Sequence, residues 1–217
     1  MILIEHEDVS GFDVAIRGMR NPLNSWERSD SEWEYDEITD GLKLNIGMND
    51  LTLMYDLVRA GSDHSKFMRM INVTMDVTAP LYWWKEYDTY KVGTVANSCS
   101  TMHTIHKKEF ELADFSHEHL VGSAEGALMI VIDTLNMYRN LFLTTSNSEE
   151  KKEYWWQLIQ LLPTSFNQKR TIQLNYQVLR NIYHARKNHK LDEWRYFCTM
   201  IEKLPYSDLI TWKGYNK

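Results

Sequence analysis

The chain has 217 residues, 43% of them hydrophobic, enough to bury a full core as one domain. Its 24 basic and 30 acidic side chains leave a net charge of −6, which excludes a nucleic-acid surface driven by counterion release and leaves room for a local basic pocket. Two cysteines, Cys99 and Cys198, cannot build a disulfide framework, and no apolar run approaches the ~18 residues of a membrane span. No signal peptide opens the chain, so a cytoplasmic protein with two reduced thiols and neither a membrane nor a nucleic-acid partner is expected.

In chain order, Met1 to Asp8 and Gly11 to Gly18 read as two short strands. The second rests on Phe12, Val14 and Ile16 alternating with Asp13, Ala15 and Arg17. Asn21 to Asp40, acidic and carrying Trp26, Trp33 and Tyr35, reads as a long loop. Asn49 or Asp50 can cap a helix through Leu51, Met54, Leu57 and Val58 that ends near Gly61. Ile71, Val73, Met75 and Val77, alternating with Asn72, Thr74, Asp76 and Thr78, form the clearest strand, and Ala79-Pro80 ends it.

Trp83-Trp84, next to Lys85, suits either the stacking of a flat ring or a buried helix face. The pairs His103/His106 and His117/His119 lack cysteines or a fixed acidic partner, so no metal site is expected. Gly122 to Leu143 is a long helix with an apolar stripe of Leu128, Val131, Ile132, Leu135, Tyr138 and Leu141. Ser146 with Glu149 can form a capping box for the next helix, which runs through Leu158 to Leu162-Pro163.

From about Gln168 to Ala185 the pattern again reads as a helix. On a 100° wheel Asn175, Leu179, Ile182 and Arg186 share one side, with Ile172 and Tyr183 at its margin. Asn175 and Arg186 are then about 16 Å apart along the axis. This spacing alone also fits a core helix with an Asn cap contact and an Arg suited to the C-terminal dipole. Phe197, Met200, Ile201 and Leu204 continue a terminal helix to Pro205, and the tail to Lys217 carries no signal. Strands near the start and at 71–77, among several helices, predict an α+β domain.

The order Leu162-Pro163, Asn175, Leu179, Asn181, Arg186, His189 and Glu193-Trp194 resembles the C-terminal signature of the flavin-dependent thymidylate synthases. The departures are Gln173 for the family's Thr, Gln177 for its Arg and Ala185 for its Leu. After Ala-Pro and a helix the family carries R-H-R-x-x-S-x-N-E-x-S-x-R-Y. Anchored on Ala79-Pro80, its R-H-R falls on Thr89, Tyr90 and Lys91, and its first Ser on Thr94. After a one-residue insertion the rest falls on Asn97, Ser98, Ser100, Met102 and His103. A further family Arg, four residues before the LP proline, is Ile159 here.

The resemblance spans roughly Gly61 to Leu204. It implies a single domain over 1–217, an α+β fold with an antiparallel sheet flanked by helices, and a homotetramer with active sites between subunits. It places FAD near Asn175, Asn181, Tyr90, Lys91 and His189. It places a uracil nucleotide near Arg186, Ser100, Asn97, His103 and Lys85, with Arg186 holding and polarising the pyrimidine or its phosphate. The implied reaction moves one carbon from methylenetetrahydrofolate to the nucleotide, with flavin carrying hydride and NADPH as reductant. The rewritten motifs suggest a divergent, phage-type member. Because Met102 cannot reproduce an arginine's bidentate grip on phosphate, a second reading stays open: an inactive, virus-encoded homologue that binds or sequesters a nucleotide without flavin. A third is a structural oligomer with no ligand.

Overall fold

The computed structural model describes residues 1–38 and 40–213; Thr39 in the predicted loop and residues 214–217 of the tail lie outside the described residues. The architecture is α+β, an antiparallel sheet flanked by helices, in the strand order β1-β4-β6-β5. β1 is Leu3–Ser10, β4 Asn72–Pro80, β5 Val95–Ser98 and β6 Asn167–Asn175. Chain contacts divide the molecule into two units. One comprises Met1–Glu5, Asp76–Thr89 and Ala96–Thr171; the other comprises His6–Met75, Tyr90–Val95 and the chain from Ile172 on.

β4 follows the predicted alternation: Val73, Met75, Val77 and Ala79 are at most 1% exposed, while the residues between them stay half-buried. Antiparallel pairing with β6 is fixed at both ends, where Leu81 N–H donates to the Phe166 carbonyl and Tyr176 N–H to that of Ile71.

In the first unit, α3 (Leu81–Tyr87) buries Trp83 and Trp84 completely, so this pair is a helix core face. α4 (Thr101–Thr104) is a single turn capped by Ser100, whose Oγ accepts from the His103 N–H. α5 (Ser123–Thr144) and α6 (Ser148–Leu161) pack on Ile105, Phe110 and Phe115 through Leu128, Ile132, Leu135 and Leu158. The α6 cap is Asn147, accepting from Glu149 N–H at 3.0 Å, in place of the predicted Ser146/Glu149 box.

Three expectations are corrected. Gly11 to Gly18 is no strand: α1 spans Phe12–Arg20. The alternation of Phe12, Val14 and Ile16 was coincidental, and the buried set is Ala15, Ile16, Met19 and Arg20, a helical stripe. Gly11 makes the turn from β1 at φ 89°, and a Cβ there would lie 2.2 Å from the Met70 carbonyl oxygen. The predicted loop at 21–40 contains β2 (Glu32–Asp36), which pairs with β3 (Gly41–Asn45) as a hairpin. Its three acids face away from the apolar pairs, so it lacks the signature of a buried strand. The predicted helix from Gln168 is β6 as far as Asn175, with Gln168, Ile172 and Leu174 buried at a period of two; α7 then runs Tyr176–Arg186.

α2 (Met48–Arg59) begins one residue before the predicted caps. Its first-turn amides, Asn49 and Asp50 N–H, donate to the Asp30 carboxylate at 2.9 and 3.1 Å. This frees the Asp50 side chain to face inward, where it is fully buried against Arg20 at 2.6 Å. α8 (Asp192–Ile201) and α9 (Asp208–Thr211) close the second unit over Phe197, Ile201, Leu209 and Ile210. Among the described residues no helix is long and apolar enough to cross a membrane.

Candidate functional site

Arg186 is the centre of the cluster in the second unit. It ends α7, and its side chain turns back over the aromatic residues that precede β5 and open α8. Nε donates to the Tyr90 hydroxyl at 2.9 Å, and Nη1 contacts His189 Nε2 at 3.0 Å. The other ring nitrogen, Nδ1, lies 3.2 Å from the Leu191 amide, so the ring is held from both sides. The guanidinium carbon lies 4.9 Å from the Trp194 ring centre and 5.7 Å from that of Tyr90. Tyr90 and Trp194 meet edge to face at 6.0 Å, and Trp194 in turn packs on Phe197. Tyr90, His189 and Trp194 thus fix the direction of a half-buried cation by hydrogen bonding and stacking together.

The other residues tied to flavin by the sequence lie around α7 in different ways. Asn175 is the N-cap of α7: Oδ1 accepts from Val178 N–H at 3.1 Å, and Nδ2 faces Gly93, where a Cβ would come within 3.1 Å. Asn181 is exposed and accepts from Gln177 Nε2 at 3.3 Å; Gln177 Oε1 accepts from Ser65. Lys91 is exposed. Their donor chemistry (an ammonium, a phenol, two carboxamides and an imidazole) suits a ligand with phosphates and a hydrogen-bonding ring.

In the first unit, Ser100 lines a cavity of about 400 Å³ with an apolar floor of Ile105, Phe110 and Phe166. Lys108, Lys169 and Gln168 stand at its rim. The buried Gln168 donates Nε2 to the Cys99 carbonyl at 2.9 Å, and Cys99 N–H bonds the Lys169 carbonyl. Lys169 Nζ is held by Asp76 at 3.1 Å and Glu5 at 3.2 Å, and these two carboxylates push its pKa up. Asn97 lies exposed on β5, His103 exposed on α4 and Lys85 on the outer side of α3; none of the three lines this cavity. The sequence reasoning missed Lys169, because a helix over 168–175 hides the strand alternation that sends it to the same end as Ser100. It also missed Trp194 as the partner of Arg186, for which the Glu193-Trp194 pair shortly after His189 was the available signal.

Burial, reinforced by Glu202, pushes the Cys198 thiol up to about 12, so this cysteine is inert. A further cavity of about 1070 Å³ in the second unit lies between α1, α2 and the segment around His64 and Lys66, and none of the predicted flavin residues lines it.

A search against protein-family models finds no match, and none of the curated proteins matches. Solved structures do. Thymidylate synthase X (ThyX) from Helicobacter pylori, crystallised with FAD and dUMP, superposes with a TM-score of 0.67 at 16% identity, covering 98% of both chains. A second structure of this flavin-dependent enzyme, complexed with FAD and dUMP, gives 0.65 at 17% identity over 98% of this chain and 97% of that one. The fold is that of the flavin-dependent thymidylate synthases. The ThyX-like superposition covers the N-terminal sixty residues as well, which the motif resemblance left out.

Proposed function

We propose that the chain is a divergent flavin-dependent thymidylate synthase, of the phage type, that binds FAD and a uracil nucleotide. The observation that carries this reading is Arg186, placed at the end of α7 and oriented by Tyr90, His189 and Trp194. A guanidinium held in this way loses little conformational freedom when an anion docks, so its binding energy goes into orientation. The FAD and dUMP held by both ThyX structures support the choice of ligands.

Flavin falls to Tyr90, Lys91, Asn175, Asn181 and His189. The nucleotide falls to Arg186, with Ser100, Asn97, His103 and Lys85 as further contacts. When bound, the flavin supplies the hydride carrier for methylation by methylenetetrahydrofolate, with NADPH as reductant. The chain's own part is to bind and orient, with Arg186 polarising the pyrimidine or holding its phosphate. A cytoplasmic homotetramer completes the proposal. α5 leaves Ile130, Met137 and Leu141 exposed by 68%, 49% and 39% at spacings of seven and four, an apolar stripe that assembly would cover.

One observation favours a second reading, a nucleotide binder without flavin chemistry: Met102 and Ile159 stand where the resemblance puts arginines. A tritium assay separates the two. With FAD, methylenetetrahydrofolate, NADPH and dUMP labelled at C5, the protein is expected to release tritium to water only when NADPH is present. Binding of dUMP without release would transfer the proposal to the second reading.

A further inference from the structure

The chain's charge is unevenly placed. The β2–β3 hairpin holds five acids, Glu32, Glu34, Asp36, Glu37 and Asp40, against the single Lys43, so it carries −4 of the net −6. Its register pairs Trp33 with Leu44 and Tyr35 with Leu42 on one face, and sets Glu32, Glu34 and Asp36 on the other. At its base, Trp33 and Leu44 share a small cavity with Trp26 and Ile16 of the same unit. Its far end is uncovered: Tyr35 is 63% exposed, Leu42 68% and Ile38 95%. A two-stranded hairpin with two open edges and an uncovered apolar tip gains little from its own chain.

The same unit carries a surface of opposite charge. Arg180 and His184 lie on α7 and Lys187 caps its C-terminal end, beside Lys213. The ammonium of Lys187 is pushed down by Lys213 directly next to it. The His184 ring is pushed down by burial and by the Arg180 and Lys187 charges. Glu202, which accepts from the Tyr183 hydroxyl at 2.7 Å, offsets part of this charge and leaves the patch net positive. Arg180 lies 5.8 Å over the Trp212 ring, which gives the patch an apolar floor. Crowded cations around an indole are complementary to an acidic hairpin with an apolar tip.

We propose that the β2–β3 hairpin of one copy docks on the Arg180–Lys187–Lys213 surface of a second copy, its apolar tip against Trp212. The contact uses neither Arg186 nor Ser100, so it stands apart from the catalytic proposal. In a two-fold pair it forms twice.

Sedimentation of the full chain tests this. The wild type is expected to associate, more weakly as salt rises. Glu37→Lys with Asp40→Lys, exposed beside the apolar tip, is expected to weaken association on the order of a hundredfold, as like charges meet. Lys187→Glu with Lys213→Glu should do the same. Combining all four in one chain, or mixing the two variants, should restore the wild-type mass. A monomeric wild type, an unchanged mass in the hairpin variant, or a failure of the fourfold exchange to rescue would each overturn the proposal. The last would leave a basic partner protein or a small anion as occupant. Circular-dichroism melts confirm that each variant folds.

Discussion

Arg186→Ala is expected to weaken dUMP binding at least about a hundredfold, taking roughly 1.5–3 kcal/mol for each of two charge-assisted hydrogen bonds to the ligand. Titration calorimetry measures the loss. The fold should survive: the side chain is half-buried, and losing its stacking on Trp194 costs about 0.5–1 kcal/mol. Arg186→Lys should rescue little, since an ammonium cannot satisfy Tyr90 and His189 while also presenting a planar fork. Unchanged dUMP affinity in Arg186→Ala, with only a lowered melting temperature, would reduce Arg186 to a packing residue.

The largest effect on stability is expected from Asp50→Asn, about 3–5 kcal/mol in urea denaturation, because it strands a buried guanidinium. Asp50 accepts from Arg20 Nε at 2.6 Å, from the Ser29 and Ser31 hydroxyls at 2.7 Å each, and from the Asp30 and Ser31 amides. Arg20 in turn donates to the Ser25 and Arg28 carbonyls. One ion pair thereby fixes the whole path from α1 to α2, including the wall of the larger cavity. Burial pushes the Asp50 carboxyl upward, but the Ser29, Ser31 and Arg20 bonds outweigh it and hold the pKa below the usual carboxylate range. The stability it contributes is therefore complete above the unfolded value of about 3.9 and is lost as pH falls through the lower folded value. The wild type should lose this stability in acid, and Asp50→Asn should lack that part of the pH dependence. An Asn variant as stable as the wild type at pH 7 would contradict the account.

What could be read from the residues follows from where burial enforces a period. β4 and α5 were legible because one face of each is buried along its length, so the alternation of Val73, Met75 and Val77 and the stripe of Leu128, Ile132 and Leu135 stand out. α1 was not, since Phe12, Val14 and Ile16 satisfy a strand period while the buried Ala15 and Met19 follow a helical one. β6 was hidden because Lys169 and Arg170 interrupt its alternation: Arg170 is satisfied by Asp88 and stacks on Trp84, pairings that only tertiary structure reveals. For the site, Arg186 and His189 were named through the family resemblance, and their contact at the end of α7 follows from the turn that brings His189 back to Arg186. Tyr90 was named, but its bond to Arg186 joins residues 96 positions apart and leaves no local trace. The Asp50 network was invisible for a related reason: an Asp at a helix start reads as a cap, whereas here Asp30 caps the helix and Asp50 turns inward.

The central claim is that this ThyX-like fold holds a flavin beside Arg186. Its most direct test is the absorption spectrum of the purified protein after incubation with excess FAD and desalting, followed by denaturation and mass analysis of what is released. The account predicts retained flavin bands and FAD in the released fraction, both lost in a Tyr90→Ala, Asn181→Ala double variant that still melts cooperatively. A colourless protein that releases a nucleotide but no flavin would contradict it.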